Sequence, residues 1–314
     1  MTGALGQAGG VTGTPDGDGT PPALLAVAAA GAAAGFDAGG ATVLKASASD
    51  VVRLPVTGWL AKVAPAGPGA GAARREVAVA RALAAAGVPA VRLAPVPGQP
   101  IEVAGAVVTV WEDAGVLPGE PDPADLGRLA RRLHDATAGD PAIAGLPPLD
   151  PLAAAADRLA QAEATAAIPA RDVALLWDVH ARLAADWAAL PPPPRPALAH
   201  GDLHPANVFR TAAGPVLADL ELSGVGDPAY DLAPSLVAVR RYGRPPAHHE
   251  AFAAAYGADV RDHPHVEVLC AVYELWVTAW AVAAAAAGPD LAAEAAVRVA
   301  TWRGDPTARP WVLS

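Results

Sequence analysis

The stretch from His200 to Ala233 reads HGDLHPANVFRTAAGPVLADLELSGVGDPAYDLA. Two of its carboxylates, Asp202 and Asp219, flank one amide, Asn207, which lies five residues after the first and twelve before the second. That order suits phosphoryl transfer from a nucleotide. One carboxylate takes the acceptor hydroxyl's proton, while the amide and the other carboxylate hold the Mg²⁺ that neutralises the phosphates. Mg²⁺ fits so sparse a donor set because it takes few protein oxygens and completes its octahedron with water and phosphate.

The His-x-Asp-x-x-x-x-Asn spacing follows the protein-kinase catalytic loop, with Asp219 where a kinase carries its metal-binding Asp. Three fixed residues could recur by accident, but HGDLHPANV, LADLE and GDPAYDLA together resemble the aminoglycoside phosphotransferase and choline kinase superfamily. Leu220 stands where that family usually has an aromatic residue, a departure that concerns packing more than chemistry. The resemblance implies a two-lobed, protein-kinase-like α+β fold. Residues 23–113 would form a small N-lobe with a five-stranded antiparallel sheet, and 114–314 a larger helical C-lobe. It further implies an ATP- and Mg²⁺-dependent O-phosphotransferase for a small hydroxylated molecule, with GTP as the alternative donor. Asp202 would be the base, and Asn207 and Asp219 the metal ligands. His200 would hold the loop backbone, and Asp231 would brace it through backbone hydrogen bonds.

Composition sets wider bounds. The chain has 314 residues, enough for one large domain or two lobes. No Lys or Arg occurs among the first forty residues, which argues against a secretory leader. The apolar runs Ala23–Gly35 and Leu275–Gly288 are shorter than the roughly 18 residues of a membrane span. A single cysteine, Cys270, excludes an internal disulfide and fits a reducing compartment, so a soluble cytoplasmic protein is expected. The net charge of −10 disfavours a nucleic-acid partner and would attract cationic ligands, although it could equally serve solubility.

Residues 1–22, rich in Gly, Thr, Pro and Asp, are expected to be a disordered tail. An alanine-rich helix then ends at Gly35. Ala41–Ala46, Val51–Pro55 and Trp59–Ala64 read as three antiparallel strands joined by short turns. In a kinase-like lobe the first turn would cover the phosphates. Here it carries Ser47 and Ser49 and no glycine, so these hydroxyls either donate to phosphate or belong to an ordinary turn. Lys62 lies on the third strand, and Glu76 in the first turn of a helix expected over Ala72–Ala86. Alone they would be solvated; upstream of the Asp202 motif they match the pair that orients a cation toward the nucleotide phosphates. Val91–Leu93, Ile101–Val103 and Ala106–Val110 should complete the sheet. Trp111-Glu112-Asp113-Ala114 resembles the segment joining kinase lobes, where backbone groups at Glu112 and Ala114 would meet adenine, although Trp111 equally suits a core.

Beyond it the pattern turns helical. Asp122-Pro123-Ala124-Asp125 opens a helix with an N-cap and a first-position proline. Leu126, Leu129 and Leu133 mark its apolar stripe, and His134 reads as packing. Further helices are expected over Leu152–Ala166, Arg171–Leu190, His248–Tyr256 and His265–Ala287, with a short strand, Val216–Ala218, delivering Asp219. Asp227-Pro228 reads as a helix start. His204 approaches either a phosphate or the core, and Glu221 the metal or the substrate. His248, His249, His263 and His265 lack the i, i+4 spacing of a zinc helix. Glu267 and Glu274 are seven apart and share a helical face, where they would meet either a cationic acceptor or arginines from elsewhere.

Three alternatives share parts of this pattern. A kinase for choline, an amino alcohol, homoserine or a sugar has every motif above. A non-catalytic nucleotide-binding pseudokinase conflicts with the intact set Lys62, Glu76, Asp202, Asn207 and Asp219. A protein kinase conflicts with the short span Glu221–Gly226 after Asp219, which holds no activation segment. No motif names the acceptor or the oligomeric state.

Overall fold

A computed structural model of the chain describes residues 20–46, 49–103, 105–305 and 309–312. Ser47 and nearly all of the expected N-terminal tail lie outside them. Helix α1 (Pro22–Ala34) precedes strands β1 (Thr42–Lys45), β2 (Asp50–Leu54) and β3 (Trp59–Pro65). Helix α2 (Pro68–Ala85) leads to β4 (Ile101–Val103) and β5 (Ala106–Glu112). Helices α3 (Pro123–Thr137), α4 (Pro151–Thr165) and α5 (Ala170–Ala188) follow. Four short strands come next: β6 (Ala197–Ala199), β7 (Val208–Thr211), β8 (Gly214–Leu217) and β9 (Gly224–Gly226). Helices α6 (Ala233–Arg241), α7 (Pro246–Tyr256), α8 (Val266–Ala284) and α9 (Pro289–Trp302) close the series.

These elements form two compact units, each with its own core. The first comprises the chain up to Glu120 together with Asn207–Ser223. Its antiparallel sheet runs β1-β2-β3-β5-β4. Side chains alternate across a strand, so each strand here serves two layers. On β3, Ala61 and Val63 turn to one face and pack with Ala26, Val27 and Ala30 of α1. Burying each larger aliphatic of this layer contributes about 1.5–3 kcal/mol. Lys62 therefore points to the opposite face, where Val107 packs on Ala70 and Ala73 of α2. The β7–β8 hairpin joins the same unit through backbone bonds. Val91 N–H donates to Leu217 O at 2.8 Å, and Leu217 N–H to Pro89 O at 3.0 Å.

The second unit comprises Pro121–Ala206 and the residues from Gly224 on. It is helical and built around α8, which packs on α4, α5, α6 and α9. Leu269, Val272, Leu275, Ala279 and Val282 of α8 are fully buried. Strands β6 and β9 pair antiparallel, and a Cβ on Gly224 would come within 2.5 Å of Leu149 N, so this crossing needs glycine. The first turn of α3 has the expected cap, Ala124 N–H donating to the Asp122 carboxylate at 2.8 Å.

The structure revises several sequence expectations. The boundary after residue 113 moves, because the 207–223 hairpin is hydrogen-bonded into the first unit, including Leu117 N–H to Arg210 O at 2.7 Å. Val91–Leu93 is not a sheet strand: between Pro89 and Pro95 it makes single bridges, such as Leu93 to Trp111. Helix α2 begins at Pro68, so Glu76 lies in its middle turns, because Pro at the first helical position starts rather than breaks a helix. Helix α8 with its 3₁₀ extension to Ala287 is long and apolar enough to cross a membrane, but it is mostly buried as the core helix of its unit. Helix α9, with no counterpart in the sequence reading, packs on α8.

Candidate active site

In the first unit, strand register sets the geometry. Val208 pairs with Leu217, and one step further Ala218 N–H donates to Asn207 O at 2.9 Å. The amide and Asp219 thus sit at the same end of one hairpin. Asp219 adopts φ 56°, a left-handed conformation uncommon for a residue with a side chain. Its carboxyl group is half exposed, with Oδ1 3.5 Å from the Lys62 ammonium. Lys62 also lies 3.2 Å from Glu76 Oε1 and 3.3 Å from Glu221 Oε2. Burial works against the charge on Lys62, but Glu76, Asp219 and Glu221 together outweigh it and hold the ammonium's pKa above the usual lysine range. The Glu76 carboxyl is pushed up to about 7, chiefly by burial, with Lys62 pulling the other way.

Three carboxylates around one ammonium leave local negative charge in excess, which suits a divalent cation. Among the described residues no cluster of three or more His, Cys, Asp or Glu forms a ready cation cage. A metal with one carboxylate and one amide from protein, the remainder from phosphate and water, needs no such cage. Asn207 and Asp219 fit that description.

In the second unit, strand β6 leads straight into His200. Asp231, fully buried, accepts from His200 N–H at 2.6 Å and Gly201 N–H at 2.9 Å. His134 joins the same carboxylate at 3.0 Å and reaches Tyr256 Oη at 2.9 Å with its other ring nitrogen. Burial opposes the charge on Asp231, yet the bonds from His134 and His200 hold its pKa below the usual aspartate range. His134, read from sequence as packing alone, therefore also holds the brace. Asp202 Oδ1 accepts from Tyr273 Oη at 3.2 Å, and Oδ2 lies 3.6 Å from His204 Nε2. Burial again works against the carboxylate, but His204, His200 and the Trp276 indole keep Asp202 below its ordinary range. An ionised carboxylate is what a base for a hydroxyl proton requires.

The remaining candidates divide. Ser49 lies just before β2. Glu112 ends β5 with its N–H already donated to Arg92 O at 2.9 Å, and Ala114 follows in irregular chain. Trp111 is buried, as the core alternative held. Glu267 is clasped by Arg240 through two bonds of 2.8 and 3.0 Å, and buried Glu274 pairs with Arg241 at 2.9 Å. The arginine alternative thus describes both, and the two-carboxylate face offered to a cationic acceptor does not stand in this form. His249 bridges Ser235 and Asp259. Tyr273 and Trp276 carried no sequence signal, because α8 is apolar on nearly every side.

The phosphotransferase enzyme family model matches residues 41–269, most of the chain, which therefore belongs to that family. In class it is a phosphotransferase. Solved structures share its fold. A choline/ethanolamine kinase family protein from Mesorhizobium loti is 23% identical, with a TM-score of 0.58 over 90% of this chain and 95% of its own. An amicoumacin kinase solved with AMP-PNP, Ca²⁺ and its antibiotic is 14% identical, with a TM-score of 0.61 over 88% and 92%. An aminoglycoside phosphotransferase from Streptomyces rimosus is 22% identical, with a TM-score of 0.55 over 81% and 98%. No curated protein matches the chain.

Proposed function

We propose that the chain transfers the γ-phosphate of ATP to a hydroxyl of an amine-bearing small molecule, with Mg²⁺ as the metal. The observation that carries this reading is the division of labour in the motif. Asp202 sits ionised among hydrogen-bond donors, while Lys62, Asn207 and Asp219 gather on the sheet unit. Mg²⁺ bound by Asn207 and Asp219 would supply charge neutralisation at the phosphates. Lys62, held by Glu76, would orient the α- and β-phosphates. Asp202 would accept the hydroxyl proton, and Asp231 would hold the loop that carries it. Positioning and electrostatics then do the catalytic work, with no covalent intermediate.

An aminoglycoside-type antibiotic is the first acceptor to test, in keeping with the amicoumacin and aminoglycoside kinases of the same fold. A small amino alcohol is the second reading, favoured by the aromatic side chains of Tyr273 and Trp276 beside Asp202, which suit a compact ammonium group. The test is consumption of ATP, and separately of GTP, across aminoglycosides, other antibiotics, choline, ethanolamine, homoserine and sugars. Mass spectrometry should find one added phosphate on a single class. Turnover of none of them, with nucleotide still bound, would favour the pseudokinase instead.

A further inference from the structure

We propose that Tyr273 is a positioning residue for the base: its hydroxyl fixes Oδ1 of Asp202 and with it the orientation of the carboxylate. This rests on the reading of Asp202 as base. The hydroxyl of Tyr273 donates to Asp202 Oδ1 at 3.2 Å, across 71 positions of sequence. Trp276, one helical turn further along α8, directs its indole at the same carboxylate. A single helix, mostly buried, thus supplies both donors.

The tyrosine is itself held. Its ring lies edge-on to Tyr230 with centroids 6.3 Å apart, and Tyr230 meets Trp187 edge-on at 5.6 Å. Only 4% of Tyr273 is exposed, so the hydroxyl has little freedom to leave the carboxylate for water. Burial, and then the charge on Asp202, holds the phenol well above its usual pKa, so it stays a donor through the range in which Asp202 is ionised. A carboxylate free to rotate exchanges its two oxygens and loses alignment with the attacking hydroxyl. Anchoring Oδ1 removes that freedom before the acceptor arrives.

The test compares Tyr273→Phe with the parent. Phenylalanine keeps the ring contact with Tyr230 and deletes only the hydroxyl. The deciding measurement needs no acceptor: a ¹³C NMR titration of the Asp202 side-chain carboxyl, its signal assigned by Asp202→Asn. Loss of a bond to the charged form should move that titration upward by about one pH unit. With whichever acceptor the panel turns over, kcat should fall about tenfold while KM for Mg-ATP stays within about twofold. Tyr273→Phe should add no loss in an Asp202→Asn background. An unmoved Asp202 titration, or a variant altered only in thermal stability, overturns the proposal. Near-normal turnover by Asp202→Ala would instead remove Asp202 as base, a separate result that leaves the hydroxyl-to-carboxylate anchor to be read from the titration.

Discussion

The Lys62 ammonium and the Glu221 carboxylate, 159 positions apart in sequence, meet at 3.3 Å. With Glu76 and Asp219 they place three acidic groups around one lysine, of which Glu76 is the most deeply buried. Removing the lysine strands that buried charge. Lys62→Ala should therefore cost about 2–3 kcal/mol, at the low end for a broken buried pair because Asp219 and Glu221 remain partly solvated. Pairing it with Glu76→Gln should restore part of the loss. Urea unfolding of the two variants beside the parent checks this; equal losses would mean that Glu76 was not relying on Lys62.

Asp202→Ala should abolish most phosphoryl transfer and leave nucleotide binding intact. The side chain is held within its own helical unit by Tyr273 and His204, while the Lys62 group lies on the sheet unit. Removal of a general base costs about 10²–10⁴-fold in rate. The thermal shift produced by Mg-ATP should equal that of the parent. A variant that keeps its turnover, or loses nucleotide binding with it, would contradict the assignment.

Asp219→Asn is the cleaner probe of the metal. Asn tolerates the left-handed backbone at φ 56°, where other side chains would add strain of their own. A neutral amide is a poor ligand for a hard cation, so the gain in nucleotide affinity on adding Mg²⁺ should shrink by about tenfold or more. Calorimetry with and without Mg²⁺ measures it. An undiminished magnesium effect would place the ligand elsewhere.

Asp231 should reveal itself through acid. Its folded pKa is depressed, so its contribution to stability is complete above the ordinary aspartate value of about 3.9 and is lost as pH falls through the folded value. Asp231→Asn should flatten the fall in stability below about pH 4 relative to the parent. Asp231→Ala should cost about 3 kcal/mol at neutral pH, since it orphans the N–H groups of His200 and Gly201 and the bond from His134. Chemical denaturation from pH 3 to 7 distinguishes the variants. Parallel curves for all three would deny the carboxylate this role.

Much of this was legible because it is local. Helix caps at Asp122 and Asp227, the strand at Trp59 and the tight motif from His200 all depend on neighbours within a few residues. Asp231 could be read as buried from the Tyr and Leu beside it. The arginines that neutralise Glu267 and Glu274 were harder, since a shared helical face says nothing about what packs across it. Arg240 and Arg241 arrive from α6, an element that sequence reading left as little more than a helix start. Tyr273 was invisible for a related reason. Its donor bond is one polar feature on a helix whose hydrophobic pattern has no distinguishing stripe. Val91–Leu93 misled in the opposite direction, its alternating Val-Arg-Leu pattern outweighing the prolines that limit its ladder.

The hairpin carrying Asp219 belongs to the sheet unit, although the chain has by then already passed through three helices of the other. During synthesis from the N-terminus, the sheet unit is therefore incomplete until Ser223 has left the ribosome. A nascent chain stalled at Glu120 has its five strands but neither Asp219 nor Glu221 to set against Lys62. The helices α3 to α5 must wait likewise for later elements: α3 for α7, and α4 and α5 for α8. Both halves mature late and almost together, and no single cut in the polypeptide releases either one whole.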